Sequence, residues 1–399
     1  MTRPAPDGRG LLGLVESSSV VVCLGPGGVG KTTSAAAIAV AAALGGKRVA
    51  VLTVDPAARL KDALELPQNP GKLHRVPLPD GSAGTLDAIL LDAKGIFDGL
   101  VRRLSPTPAL ADRVLANPVY RNVAGAFAGS DAYMALEQLL DIVATGDFDL
   151  VVVDTPPASH ALELFDAPER ILALLDSRAL EYLGEPVRIL GGASSRIARG
   201  LLSAVLSGLE RMTGLSLLSD ISALATDFSV VTPGFKKRAQ AIRALLRAAD
   251  TRYVLLASPD PHSARDILGF AAEVGRAGVS IDAVIVNRVL QLTALAAPSS
   301  TGTRDEHDVA PAQGPRWSAA LARNLVACAK DLDTLRSAQR AVIDALRAGL
   351  LRSAVADGAS AEPLWVELPA LSPAPTSLAG IVALARALAG GRARSTSAA

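Results

Sequence analysis

Cysteine, aromatic side chains and net charge are all scarce in this sequence, and each scarcity argues against a class of function. Two cysteines, Cys23 and Cys328, occur in 399 residues. They are too few for a disulfide framework and too far apart for a C-x-x-C metal site. A reducing cytoplasm is the compartment expected for such a chain. Phe, Trp and Tyr together make up 3% of the residues, while half are hydrophobic. Ala, Leu and Val therefore supply most of any core, which suits Ala-rich helices packed on Val-rich strands. The net charge is +1, so no general field draws the chain to nucleic acid or to anionic lipid. No apolar run reaches the ~18 residues of a membrane span, and no transmembrane segment is expected. The opening MTRPAPDGRG has no apolar stretch of the kind a signal peptide needs.

What is present is an alternation. β-branched runs at 19–24, 48–54, 86–91, 149–154, 252–258, 281–287 and 364–369 read as strands. Their near-continuous apolar character predicts a mostly parallel sheet covered on both faces. Helical patterns fall between them, near 31–45, 131–145, 160–176, 235–249, 262–277, 317–348 and 376–389. The fold class expected is α/β, a doubly wound sheet in one domain over 11–389. Two regions, 94–130 and 177–230, hold helix-like segments without a strand and read as helical insertions forming a subdomain at a sheet edge. In the second, Ile197, Leu201, Val205, Leu209 and Met212 form an apolar stripe. The Pro- and Ser-rich stretch 291–315 is expected to be a flexible loop, and 1–10 and 390–399 disordered termini.

Residues 24–33, LGPGGVGKTT, fit two phosphate-binding templates. Gly25, Gly27 and Gly30 have the G-x-G-x-x-G spacing of a dinucleotide fold. Gly25, Gly30, Lys31 and Thr32 have the spacing of a triphosphate-binding P-loop. Lys31 and Thr32 discriminate, because a pyrophosphate approached by bare backbone needs neither. In a P-loop, Lys31 reaches the β- and γ-phosphates and the Thr32 hydroxyl ligates Mg²⁺. The backbone of Gly27, Gly28, Val29, Gly30 and Thr33 completes the cradle. The strand DLVVVD supplies the second discriminator, since Asp154 at its carboxyl end suits a carboxylate that holds Mg²⁺ through water. A nucleoside triphosphate and Mg²⁺ are therefore the expected ligands.

The segments GPGGVGKTT, TVDPAARLKDAL and DTPPASHALEL resemble, in order and spacing, the ArsA family of ATPases, which includes arsenical-pump ATPases and ATPases that target tail-anchored proteins. The resemblance covers most of 18–290. It implies a dimeric ATPase with two switch segments. In the first, Asp55 orients the attacking water, followed by Pro56 and Asp62. In the second, Asp154, Thr155, Pro157 and His160 match D-T-x-P-x-x-H. It places Asn287 against the adenine edge and Glu367 to Leu371 over the base.

One position departs from the family. Its loop reads G-K-G-G-V-G-K-T, and the first lysine reaches across the dimer to the partner's nucleotide. Here that residue is Pro26, uncharged and without a backbone donor. Two readings follow. The chain hydrolyses ATP to open and close a dimer, either with itself or with a lysine-bearing paralogue. Alternatively it is a regulatory pseudo-ATPase that binds nucleotide and scaffolds such a paralogue. The lack of clustered cysteines argues against arsenite activation, and three methionines are few for a soft client groove. The 197–212 stripe remains a candidate surface for an apolar client.

Overall fold

The computed structural model describes residues 10–54, 59–67, 69–118, 120, 131–157, 161–176, 217–291, 319–356, 362–372 and 374–390. The termini, the 197–212 stripe and nearly all of the 291–315 stretch lie outside these residues.

All seven expected strands form. They are β1 (Val20–Leu24), β2 (Arg48–Thr53), β4 (Thr85–Leu90), β5 (Leu150–Asp154), β6 (Thr251–Ala257), β7 (Ala283–Val289) and β8 (Leu364–Pro369). An eighth, β3 (Leu73–Arg75), is short and mostly exposed, so it carries no apolar run for a sequence reading to find. The order across the sheet is β3-β4-β2-β5-β1-β6-β7-β8. β3 pairs antiparallel with β4, and every other pairing is parallel. β1 lies between β5 and β6 and is buried along its whole length. Its carboxyl end is thus flanked by strands running the same way, where α/β sheets present their ligand crevice.

Helices cover both faces. On one side lie α1 (Gly10–Glu16), α2 (Lys31–Leu44), α3 (Arg59–Ala63) and α11 (Leu378–Gly390), packed on Val21, Val51, Val152 and Val254. α2 reads KTTSAAAIAVAAAL and is buried continuously from Ser34 to Ala43. Its small side chains let α11 and the strands approach closely.

The opposite face carries α4 (Ala93–Leu104), α5 (Pro108–Ala116), α6 (Asp131–Thr145), α7 (Glu163–Asp176), α8 (Leu217–Leu246), α9 (Pro261–Arg276) and α10 (Ala319–Ala356). α4 and α5 are the described part of the first insertion. Phe97, Leu100, Val101 and Val114 from them join the same apolar cluster as Val20, Val22 and Tyr253 of the sheet.

The helix expected at 235–249 begins much earlier, at Leu217, and runs through Pro233. A proline in a helix interior removes one hydrogen bond and ordinarily marks an end. Packing outweighs that here. Val231 and Phe235 on either side of Pro233 are buried, and Phe235 lies with its ring centroid 6.0 Å from Phe97 and 5.4 Å from Phe228.

The helical layer is also tied by charge. Glu137 of α6 is fully buried and accepts from Arg238 Nε of α8. Arg238 Nη2 donates to Asp141 Oδ1 at 2.6 Å, and Arg103 of α4 grips both Asp141 oxygens at 2.9 and 2.7 Å. Burial pushes the Glu137 carboxyl up, whereas the two guanidiniums hold Asp141 below the usual range against its own burial.

At the amino end of the sheet, Arg48 donates through its backbone N–H and guanidinium to Asp149, holding that carboxyl down at about 2. A carboxylate depressed below its unfolded value of about 3.9 contributes stability above that value and loses it as pH falls toward the folded value. Glu137 acts with the opposite sign, since its raised value means protonation is easier in the folded chain. Asp149→Asn should therefore make the loss of stability between about pH 4 and the folded value near 2 shallower. Urea midpoints across that range check this, and parallel curves for the two proteins would refute it.

Candidate nucleotide site

The loop between β1 and α2 is shaped by glycine where no other residue fits. Gly25 has φ +149, and a Cβ there would lie 2.6 Å from the Leu256 carbonyl oxygen of β6. Gly30 has φ +90, and its Cβ would lie 2.3 Å from Asn287 Nδ2. The loop is therefore pressed from the sheet side by the ends of β6 and β7. Gly30 is the N-cap of α2 and brings no capping side chain, so the helix opens with its first-turn N–H groups facing the loop uncapped by a side chain.

Lys31 is buried. Its Nζ donates to the carbonyls of Gly25 at 2.9 Å and Pro26 at 3.4 Å, so the ammonium is held over the loop. Pro26 itself is buried, whereas Gly27 and Gly28 are exposed at the tip, and Val29 is buried beneath them. Thr32 and Thr33 are half-buried in the first turn of α2.

Asp154 ends β5 with no exposed surface, one strand away from the end of β1, where Cys23 is its register partner. Thr53, the matching last residue of β2, donates its hydroxyl to Asp154 Oδ2 at 3.1 Å. Thr155 is buried and donates its hydroxyl to the Cys23 carbonyl at 2.7 Å, pinning the segment after β5 to the root of the P-loop. Pro157 is exposed, and its Cβ would lie 3.9 Å from a Cβ on Gly27, so the two loops run side by side. The Cys23 thiol between them is pushed up by burial first and by Asp154 next, with Lys31 opposing, and stays protonated. Asp55, Pro56 and His160 lie outside the described residues. Asp62 is exposed in the first turn of α3.

Asn287 is buried, and both ends of its amide engage the protein. Nδ2 donates to the Val29 carbonyl at 3.0 Å, and Oδ1 accepts from the Arg288 N–H at 2.9 Å. Of the segment expected over the base, the Glu367 carboxylate is paired with Arg340 of α10 at 2.8 Å and Leu368 is fully buried. Leu371 packs against the α1–α2–α11 core. Sequence reading missed Thr53 as the residue that holds Asp154. A polar residue closing the otherwise apolar run of β2 was its only local signal.

The arrangement suits a triphosphate with a divalent cation. A buried ammonium, an uncapped helix start and glycine-shaped backbone favour anionic oxygens. Among the described residues no group of three or more His, Cys, Asp or Glu could hold a metal alone.

The sequence profile of the anion-transporting ATPase family matches residues 18–297. The chain is 29% identical over 242 residues to protein Rv2184c of Mycobacterium tuberculosis, covering 58% of this chain and 56% of that protein. It is 28% identical over 231 residues to ATPase ARSA2 of Chlamydomonas reinhardtii, covering 53% and 58%. To ATPase GET3 of Chaetomium globosum it is 25% identical over 269 residues, covering 67% and 71%. It thus spans a little over half the length of the first two. No helix among the described residues is long and apolar enough to cross a membrane. The matched region contains the whole site from the P-loop to Asn287, and the chain belongs to the anion-transporting ATPase family.

Proposed function

We propose that the chain is a Mg²⁺-dependent ATPase that uses ATP to open and close a dimer. The observation that carries this reading is the convergence of Lys31, Asp154 and Thr155 on one loop, on neighbouring strand ends, with Lys31 already buried over the phosphate cradle. Lys31 meets β- and γ-phosphate charge, and the backbone of Gly27, Gly28, Val29, Gly30 and Thr33 donates to phosphate oxygens. Thr32 and Asp154 would hold Mg²⁺, directly and through water, and the bound ion would neutralise charge developing on the phosphates. Asp55 accepts a hydrogen bond from the attacking water. Pro56, Asp62, Pro157 and His160 carry the switches that couple nucleotide state to the helical layer.

Pro26 sets the pairing. Without a lysine at this position the loop does not offer the family's charge to a partner's nucleotide, and unless another group replaces it a homodimer turns over slowly. A paralogue with the lysine would stimulate this chain's site and receive nothing back. The second reading, a regulatory subunit that binds nucleotide without turnover, draws on the same residue.

Steady-state phosphate release from MgATP, by the wild-type chain and by Pro26→Lys, tests these points together. Slow Mg²⁺-dependent release that rises at least about tenfold with the lysine supports the proposal; a charge supplied in trans contributes about 10³–10⁵ in related phosphoryl transfer. Fast release that the lysine leaves unchanged would remove the asymmetric pairing. Tight MgATP binding with no release from either protein would favour the regulatory reading, and no binding would remove the ATPase reading altogether.

A further inference from the structure

We infer that Arg288 is a base-binding residue of the nucleotide site, its guanidinium stacking on the face of the base. This rests on the nucleotide-site reading above. Among the described residues, Glu65 at φ +55 and Arg288 at φ +63 hold a left-handed backbone without being glycine. That conformation is costly for any residue with a Cβ. For Glu65 the end of α3 accounts for it, since the turn lets the Leu66 N–H reach the Lys61 carbonyl at 2.8 Å and close the helix.

Arg288 lies inside β7, where no helix has to be closed. Val286 pairs with Glu367 and Val289 with Pro369, so Asn287 and Arg288 together face the single residue Leu368 of β8. This is a bulge, a device that re-aims a side chain beside active sites. It is held from both sides, because the Arg288 N–H donates to Asn287 Oδ1 at 2.9 Å and the Leu290 N–H to Gln339 Oε1 of α10 at 2.9 Å. Glycine would adopt the turn without strain. The chain instead carries a long cation there, and strain that persists beside a binding site points to a task for the side chain.

The strand order says what Arg288 can meet. Asp154, proposed above to hold Mg²⁺ through water, closes β5 on one side of β1. On the other side, the ends of β6 and β7 press on the loop through Leu256 and Asn287. A triphosphate whose terminal phosphates meet the metal near β5 would lead its nucleoside toward β6 and β7, where Arg288 stands. Arg288 is exposed, and among the described residues no carboxylate pairs with it. A planar guanidinium suits the flat face of a base in a way that an ammonium does not. Asn287 beside it stays free to meet the base edge.

Inorganic tripolyphosphate, which has the charge of the nucleotide tail and no base, separates the possibilities. Calorimetry would compare MgATP and Mg²⁺-tripolyphosphate on the wild-type chain, Arg288→Gly and Arg288→Lys, with urea unfolding of each apo protein alongside. The glycine variant should bind MgATP about 3- to 30-fold more weakly, the scale of a partly desolvated stacked cation, and tripolyphosphate within about twofold of wild type. Its apo midpoint should lie at or above wild type, because glycine relieves the left-handed turn. A residue that served only the fold would give the reverse, a lower midpoint with affinity kept. The lysine variant keeps the charge and the strained turn, and should lose MgATP affinity as the glycine variant does. Wild-type affinity in the lysine variant would overturn the stacking role, and decides the matter should tripolyphosphate bind too weakly to measure. Tripolyphosphate weakened as much as MgATP would overturn it in favour of a phosphate contact. Unchanged MgATP affinity in the glycine variant would overturn it whatever the midpoint does. Failure of the wild-type chain to bind either ligand would remove the nucleotide-site reading, and this inference with it.

Discussion

Lys31→Ala should lower phosphate release from MgATP by about 10²–10³-fold, the range found when one preorganised charge or donor is taken from a transition state. Nζ is held by the Gly25 and Pro26 carbonyls, so the ammonium is already desolvated and close to the loop before any ligand arrives. A charge of that kind needs little reorganisation when phosphate charge develops. Alanine removes it and leaves the carbonyls of the buried Gly25 and Pro26 without that donor, so some stability is also lost. MgATP affinity should fall as well, so the comparison is made at saturating nucleotide. Release within threefold of wild type would remove Lys31 from the chemistry. Asp55→Asn offers a contrast, since the residue proposed to orient water should give turnover loss with affinity kept.

Arg238→Leu should destabilise the fold by about 3–5 kcal/mol, because it strands the Glu137 carboxylate without its cation. Glu137 has no exposed surface, and burial already raises its carboxyl in the wild-type chain. The buried pair is thus a strain that the guanidinium relieves, and its value lies in holding α4, α6 and α8 together through Asp141 and Arg103. Replacing both partners by leucine should recover a large part of the loss, since buried apolar pairs of similar volume do at least as well as buried ion pairs. Urea midpoints for wild type, the single and the double variant decide it. A single variant within 1 kcal/mol (about the worth of one exposed ion pair) of wild type, or a double variant worse than the single, would contradict this account.

The parts of the molecule legible in the sequence were those whose physics is local. Seven strands announced themselves because strands covered on both faces must be apolar throughout. The P-loop was legible because glycine spacing and Lys31 act within a few residues of each other. β3 escaped because a mostly exposed edge strand of three residues leaves no hydrophobic signature. α8 extends before the 235–249 pattern because Val231 and Phe235, on either side of Pro233, find partners on α4 and in the core. Long-range pairings were invisible for the same reason. Glu137 meets Arg238, and Val29 meets Asn287, across chain separations of 101 and 258 residues. At the site, the sequence identified Asp154 as a strand-end carboxylate, but nothing local revealed that Thr53 on the neighbouring strand fixes its orientation.

The alanine-rich α2 has a mechanical consequence. Surrounded by the strands and α11 and packed through side chains of almost no length, it has no room to slide, tilt or turn within the molecule, and dense interiors of this kind yield little to applied strain. Its first turn follows directly on the glycine loop proposed above to cradle phosphate. The ligand therefore meets a surface whose shape is settled beforehand, and the entropy of assembling that surface is spent during folding and not at each encounter. In the proposed switch, one side of the bound anion has to stay still for movement on the other side to register, and α2 would be that side.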